Sequence, residues 1–280
     1  MIVVSGATGN VGRLLVRTLA DAGAPVTAVS RHTPPDGGIP DGVTHHRADL
    51  DDPSSLSPAL AGADAFFLLV PEADTRLVPE DLIRIVTHAG VRRIVLLSSV
   101  SVGSRPDATG RELLHRTEEA IEGSGLEWTH LRPGLFATHA LHWAPSIRAD
   151  RTVEAAFADV AHPVLDVRDL ADVAATVLRE PGHGGRVYVL TGPEPSTPRQ
   201  RADTIGTLVG APITVVALTA EQARERMPAS MPAALVDNVL AFNGAPNAAE
   251  QAVSPDVATV LGRPPRPFAE WAARNIDAFN

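Results

Sequence analysis

Residues 2–23 read IVVSGATGNVGRLLVRTLADAG, and this stretch decides the fold. It opens on a short β-branched run, passes through Gly6, Gly9 and Gly12 at equal intervals, and ends in a segment whose apolar residues recur at helical spacing. A helix start carries unpaired backbone N–H groups and the positive end of the helix dipole, so an anion can rest there when no side chain blocks its approach. Glycine supplies the clearance: Gly6 for a tight turn out of the strand, Gly9 for close approach of a pyrophosphate, Gly12 for close packing of the helix. Three spaced glycines are a weak signal by themselves. Between a strand and an amphipathic helix they are a strong one, and they predict a dinucleotide cradle built from Gly6, Thr8, Gly9, Asn10, Val11 and Gly12.

Outward from that loop, short β-branched runs alternate with helical patterns. Strands are predicted at 2–5, 26–30, 43–47, 65–70, 93–98, 127–131 and 187–191, and helices at 11–22, 53–61, 80–89, 111–124 and 170–179. The run AFFLLV (65–70) and the IVLL core of RIVLLS (93–98) are continuously apolar, as parallel strands covered on both faces are. The expected class is α/β, a Rossmann-type doubly wound parallel sheet, with a smaller, mostly helical C-terminal substrate lobe. Residues 1–134 would form the NAD(P)-binding core. Residues 135–280 would hold the remaining Rossmann elements, at about 162–192, interleaved with the lobe. Within the lobe, Thr197, Pro198 and Gln200 have the spacing of a capping box, as do Thr219 and Gln222. The Pro/Gly-rich stretch 31–42 reads as a surface loop.

Composition narrows the function. The chain has 280 residues and a formal net charge of -9, with no basic run, which argues against nucleic acid as a partner. It has no cysteine, so disulfides, thiolate metal sites and cysteine nucleophiles are excluded. The first residues enter a strand directly and no apolar run approaches the ~20 residues of a membrane span, so a soluble cytoplasmic protein is expected, monomer or homodimer. All 24 basic side chains are Arg, since there is no Lys, and the only Tyr is Tyr188.

The end of the second strand chooses the cofactor. An acid there would hold the adenosine ribose, whereas an Arg accommodates a 2′-phosphate. Here the sequence reads AVSRHTPP (28–35), with Ser30 where an acid could stand and Arg31 next, so NADP is expected over NAD.

With the glycine turn, VSR (29–31), HHRADLDD (45–52), RIVLLSSV (93–100), GSGLEWTHLRPGLF (123–136), LDVRDLADVAATVL (165–178) and GRVYVLTGP (185–193) in that order, the chain resembles the NmrA-like branch of the atypical short-chain dehydrogenases/reductases. The likeness runs to the terminal GRPPRPFAEWAARNIDAF (262–279). It implies that Asp49 and Leu50 lie beside the adenine, that Leu69, Val70 and Pro71 follow the cofactor, that Ser98 and Ser99 approach the nicotinamide, and that Arg132, Pro133 and Gly134 close the site. For Asp51 and Asp52 the preferred reading is capping of the helix that starts at Pro53.

The wider superfamily uses a Tyr whose acidity a Lys four residues later raises. That pair cannot exist in a chain without Lys. Turnover therefore needs another acid or an acceptor requiring little proton help, and a quinone fits, because its reduced oxyanion is a stabilised phenolate. His115 is the candidate substitute acid, with Ser98 beside the reacting centre; a packing or surface role is the alternative for His115. Glu118 and Glu119 read as solvent-face residues. Phe136, His139, His142 and Trp143 would wall the substrate pocket. His139 and His142 lack the further ligands a zinc site needs, so no metal and no flavin are expected. The leading function is an NADPH-dependent reductase of quinones or related aromatic carbonyls. A tailoring ketoreductase of aromatic polyketides and an NADP-binding redox sensor without turnover are the alternatives.

Overall fold

The computed structural model describes residues 1–34, 38–71 and 75–280. Part of the predicted surface loop, residues 35–37, lies outside the described residues. Seven strands form one parallel sheet: β1 (Ile2–Val4), β2 (Val26–Ser30), β3 (Thr44–Arg47), β4 (Ala65–Leu69), β5 (Arg93–Leu97), β6 (Glu127–Pro133) and β8 (Arg186–Leu190), in the order β3-β2-β1-β4-β5-β6-β8. Every pairing in it is parallel. The order reverses between β1 and β4, and doubly wound sheets bind ligands beyond the strand ends at such a point.

Both faces of the sheet are covered. Leu15 and Leu19 of the Asn10–Asp21 helix share one core with Leu170 and Val173 of the Val167–Arg179 helix. Leu82 and Val86 of the Pro79–His88 helix and Ile121 of the Glu112–Glu122 helix pack on the other face with Phe66 and Ile94. Residues 65–68 of β4 and 94–96 of β5, buried between them, belong to the two apolar runs.

Three expectations change. The helix expected at 53–61 is a 3-10 turn (Pro53–Leu56) followed by a short helix (Ser57–Leu60), because Pro53 and Pro58 each remove a backbone donor. Asp52 stands at its cap position without a side-chain cap bond, and Asp51 instead accepts from the Thr75 hydroxyl and the Arg76 amide, so neither acid caps a helix. The helix expected at 170–179 begins at Val167, since Asp166 caps it by accepting from the Arg168 amide. The lobe is mostly helical, as expected, and β7 (Thr152–Ala156) and β9 (Thr214–Leu218) add a two-stranded parallel sheet to it.

The lobe's own core joins Ile147 and Val153, which precede β8 in the chain, to Ile205, Trp271 and Phe279, which follow it. Both expected capping boxes form, at Thr197/Gln200 and Thr219/Gln222. The lobe is fastened over the sheet by Arg105, which donates from Nε and Nη2 to the buried Glu250 carboxylate at 2.6 and 2.8 Å.

Candidate active site

The first loop leaves β1 at Gly6, whose φ of +63° suits glycine. Space is short around it: a Cβ on Gly12 would lie 2.2 Å from the Gly6 carbonyl oxygen and 2.9 Å from the Ala7 Cα. Gly12 thus lets the helix lie against the turn itself, while Gly9, with φ of -78°, forms the N-cap and offers no side chain to the first-turn amides. The first turn of this helix carries no acidic side chain, and Thr8, Gly9 and Asn10 are exposed. Bare amides at the positive end of a long helix, cleared of Cβ atoms, fit a pyrophosphate. A Cβ on Gly6 would meet Leu69 at 3.2 Å, so the loop and the end of β4 form one wall.

Beyond that wall lies a cavity of about 1030 Å³. Its edge includes Asn10, Val11, Leu69, Val70, Pro133 and Gly134, together with Ser98 and Ser99. Of the residues expected at the substrate, Phe136, His139, His142 and Trp143 all line it, on the 3-10 segment Ala137–Trp143 and just before it. The His139 and His142 rings lie nearly parallel with centroids 6.3 Å apart. His139 is exposed where it lines the cavity. Burial first, then the neighbouring His142 and Arg201, push its pKa down to about 4. It is therefore neutral near pH 7, a hydrogen-bonding group and not a charged acid.

The sheet end behind the cavity holds a network that the sequence reading missed. Ser98 Oγ donates to Glu118 Oε1 at 2.6 Å, and Arg132 donates to the same carboxylate from Nε at 3.0 Å and Nη2 at 2.5 Å. Glu118 is buried, against the expectation of a solvent-face residue. Burial alone would raise its pKa; hydrogen bonds from Arg132 and Ser98, then the nearby charges of His130 and Arg132, outweigh this and hold it below the ordinary glutamate value. A helical count would have found it, because Leu114, Thr117, Glu118 and Ile121 share one buried face. Arg132 does not line the cavity; its guanidinium packs over Gly103, where a Cβ would lie 2.4 Å from Nη1. Ser99 is a helix cap, its hydroxyl accepting from the Ser101 amide at 3.3 Å.

His115 is not brought to the cavity. Its helix presents Arg111 and Leu114 there, whereas His115 is half-buried with Nε2 enclosed and unbonded. Tyr188 is also elsewhere, its hydroxyl 2.8 Å from His183 Nδ1.

At the other end of the cleft, Arg31 is exposed at the end of β2, and its carbonyl accepts from Arg47 Nε at 3.0 Å. Arg47 is a second cation that the sequence reading missed; the β2–β3 register, Ser30 opposite Arg47, brings it there. The Ser30 hydroxyl is occupied by the His32 carbonyl and the His45 ring. Asp49 is exposed at the adjoining turn, Leu50 packs against the second core, and Pro71 is half-buried just beyond β4.

A family model described as NAD(P)H-binding matches residues 6–181. Over its whole length the chain is 36% identical to (4-alkanoyl-5-oxo-2,5-dihydrofuran-3-yl)methyl phosphate reductase of Streptomyces griseus, 99% of which is covered. It is 33% identical to an NAD(P)H azoreductase of Xenophilus azovorans, again over 100% of this chain and 99% of the relative. Among solved structures, an NADPH-dependent quinone oxidoreductase from Escherichia coli, known also with NADPH bound, superposes with a TM-score of 0.81 at 25% identity, over 98% of this chain and 99% of that one. The loop, the switch-point cleft and these likenesses agree: the chain belongs to the NAD(P)H-binding family, in its NmrA-like, quinone-oxidoreductase-like group of atypical short-chain dehydrogenases/reductases, and is an NAD(P)H-dependent oxidoreductase.

Proposed function

We propose that this oxidoreductase takes NADPH in preference to NADH and uses its hydride to reduce a quinone or related aromatic carbonyl directly, without flavin or metal. The reading assigns cofactor binding to residues 1–134 and substrate binding to the lobe segments within 135–280. The observation that carries it is the state of the polar groups where the sheet meets the cavity. The Ser98 hydroxyl is committed to Glu118, the Ser99 hydroxyl caps a helix, Tyr188 is remote, and no Lys exists. A site so poor in free acids suits an acceptor whose reduced oxygen is a stabilised anion and can take its proton from solvent. Phe136 and Trp143 supply apolar faces for a flat ring, and His139 supplies one neutral N–H for a carbonyl oxygen. An azo group, the acceptor in one relative's name, is likewise flat and electron-poor. The cavity volume lies at the top of the range common for ligand pockets, about 300–1,000 Å³, which gives room for nicotinamide and acceptor together.

In this reading Arg31, assisted by Arg47, meets the 2′-phosphate, while the amides of Asn10, Val11 and Gly12 meet the pyrophosphate. Gly134 and Pro133 border the nicotinamide end, and Ser98 is held rigid by Glu118. The test follows absorbance at the nicotinamide band with NADPH or NADH and a panel of quinones, aromatic ketones and azo compounds. Oxidation of NADPH by quinones, slower with NADH and with simple ketones, is expected. Bound NADPH that no member of the panel oxidises would overturn the reading.

A further inference from the structure

The far wall of the cavity holds a cation that nothing in the fold accounts for. Arg201 lies one turn into the Pro198–Val209 helix, is only 6% exposed, and lines the cavity. The one hydrogen bond of its side chain among the described residues runs from Nη1 to the Ser196 carbonyl at 3.0 Å, and no carboxylate pairs with it. A guanidinium has five N–H donors, so most of this one is unspent. Burial pulls its pKa down to about 10, which still leaves it charged at neutral pH.

The surroundings sharpen the anomaly. Arg201 acts on His139 and His162, both cavity residues, lowering the pKa of each. Glu154, the one carboxylate among the described cavity residues, is already held by Arg226 at 2.6 Å, and Glu250, which acts on His162, is held by Arg105. The amides at the helix start are also used: Gln200 donates to the Thr197 hydroxyl, Arg199 to the Ala158 carbonyl and Arg201 to the Thr197 carbonyl. The free donors at this end therefore belong to a side chain, not to the helix terminus. An enclosed cation with so few partners costs stability unless an anion meets it.

We infer that the lobe end of the cavity is an anion subsite, in which Arg201 binds a phosphate or carboxylate carried by the substrate, with the His139 ring beside it. The inference rests on the proposed reduction at this site and adds to it the class of acceptor: an apolar, electron-poor body facing the nicotinamide end and an oxyanion at the opposite end. Substrate orientation then comes from the charged tail.

The test needs binding, not turnover. The NADPH complexes of the wild type, Arg201→Gln and Arg201→Lys are titrated by calorimetry with phenyl phosphate, benzoate and, as a neutral control, phenol. Phenyl phosphate or benzoate should bind the wild type at least about tenfold more tightly than phenol, lose that margin in Arg201→Gln and regain part of it in Arg201→Lys. Whichever anion binds more tightly identifies phosphate or carboxylate as the tail. The imidazole of His139, followed by NMR in the wild type alone, should titrate at a higher pH with the anion bound than without it, which covers the case of variants that do not fold. Anions binding no better than phenol, or equally well to Arg201→Gln that still holds NADPH, would overturn the inference. Turnover of neutral quinones without anion binding sinks this inference alone, and anion binding without turnover of any acceptor sinks the reduction alone.

Discussion

The two ends of the cleft are built on different principles. At the proposed cofactor end the main chain lies bare: Gly6, Gly9 and Gly12 clear the space around the amides of one continuous segment. At the lobe end, side chains from distant segments meet: His139 from the 3-10 segment, Arg201 from a helix some sixty residues on, and Arg226 paired with Glu154 beside them. The first end is fixed by local steric rules and tolerates no Cβ where Gly12 stands. The second depends on long-range packing and can vary while the scaffold stays. A fold of this kind can hold one cofactor and exchange acceptors by changing one end only.

Four substitutions probe that contrast, from the largest effect to the smallest. Gly12→Ala puts a methyl 2.2 Å from the Gly6 carbonyl oxygen, so helix and turn must separate. A loss of about 3 kcal/mol in denaturant unfolding is expected, with NADPH binding lost as well. Stability near wild type would mean that the turn gives way easily, and the steric account of the cofactor end would fail.

Glu118→Ala leaves Arg132 and Ser98 without their shared acceptor and should cost about 3 kcal/mol. The charge also carries a pH signature. Because the folded state lowers the Glu118 pKa below 4.5, the stabilisation is present above that value and is lost as pH falls through the folded value. The thermal midpoint of the wild type should thus fall more steeply than that of Glu118→Gln between about pH 5 and about pH 3. Parallel slopes would mean that Glu118 gains nothing from Arg132.

Arg31→Ala should reduce the preference for NADPH over NADH by about tenfold, with little effect on stability, because one exposed charge-assisted contact is removed. Equilibrium titration of both cofactors measures it, and an unchanged ratio would remove Arg31 from the 2′-phosphate. His115→Ala should change the rate of NADPH oxidation less than about twofold, since the ring lies off the cavity. A drop of a hundredfold would restore it as the acid.

The same contrast explains what could be read from the chain. The strand series, the cradle and the cavity residues Phe136, His139, His142 and Trp143 were legible because glycine clearance and apolar periodicity act over a few residues. Glu118 was legible too, had its helical face been counted with Leu114 and Ile121. The pairing of β7 with β9 was not, because its strands lie about sixty residues apart and short apolar runs do not announce a partner. Arg201 was hidden for a different reason. An arginine just after a capping box looks like any solvated helix residue until the fold brings it to the cavity wall beside His139.

The central claim is that main-chain amides at the first loop hold the cofactor's phosphates, and Gly9→Leu tests it most directly. Gly9 has an ordinary φ, and an added Cβ would lie 3.3 Å from the Gly6 carbonyl oxygen, a tight contact that a shift of a few tenths of an ångström relieves, so the variant should fold. With its fold verified by circular dichroism and thermal midpoint, NADPH affinity should fall by about a hundredfold, the worth of one or two charge-assisted hydrogen bonds. A folded variant that binds NADPH as tightly as the wild type would contradict the account.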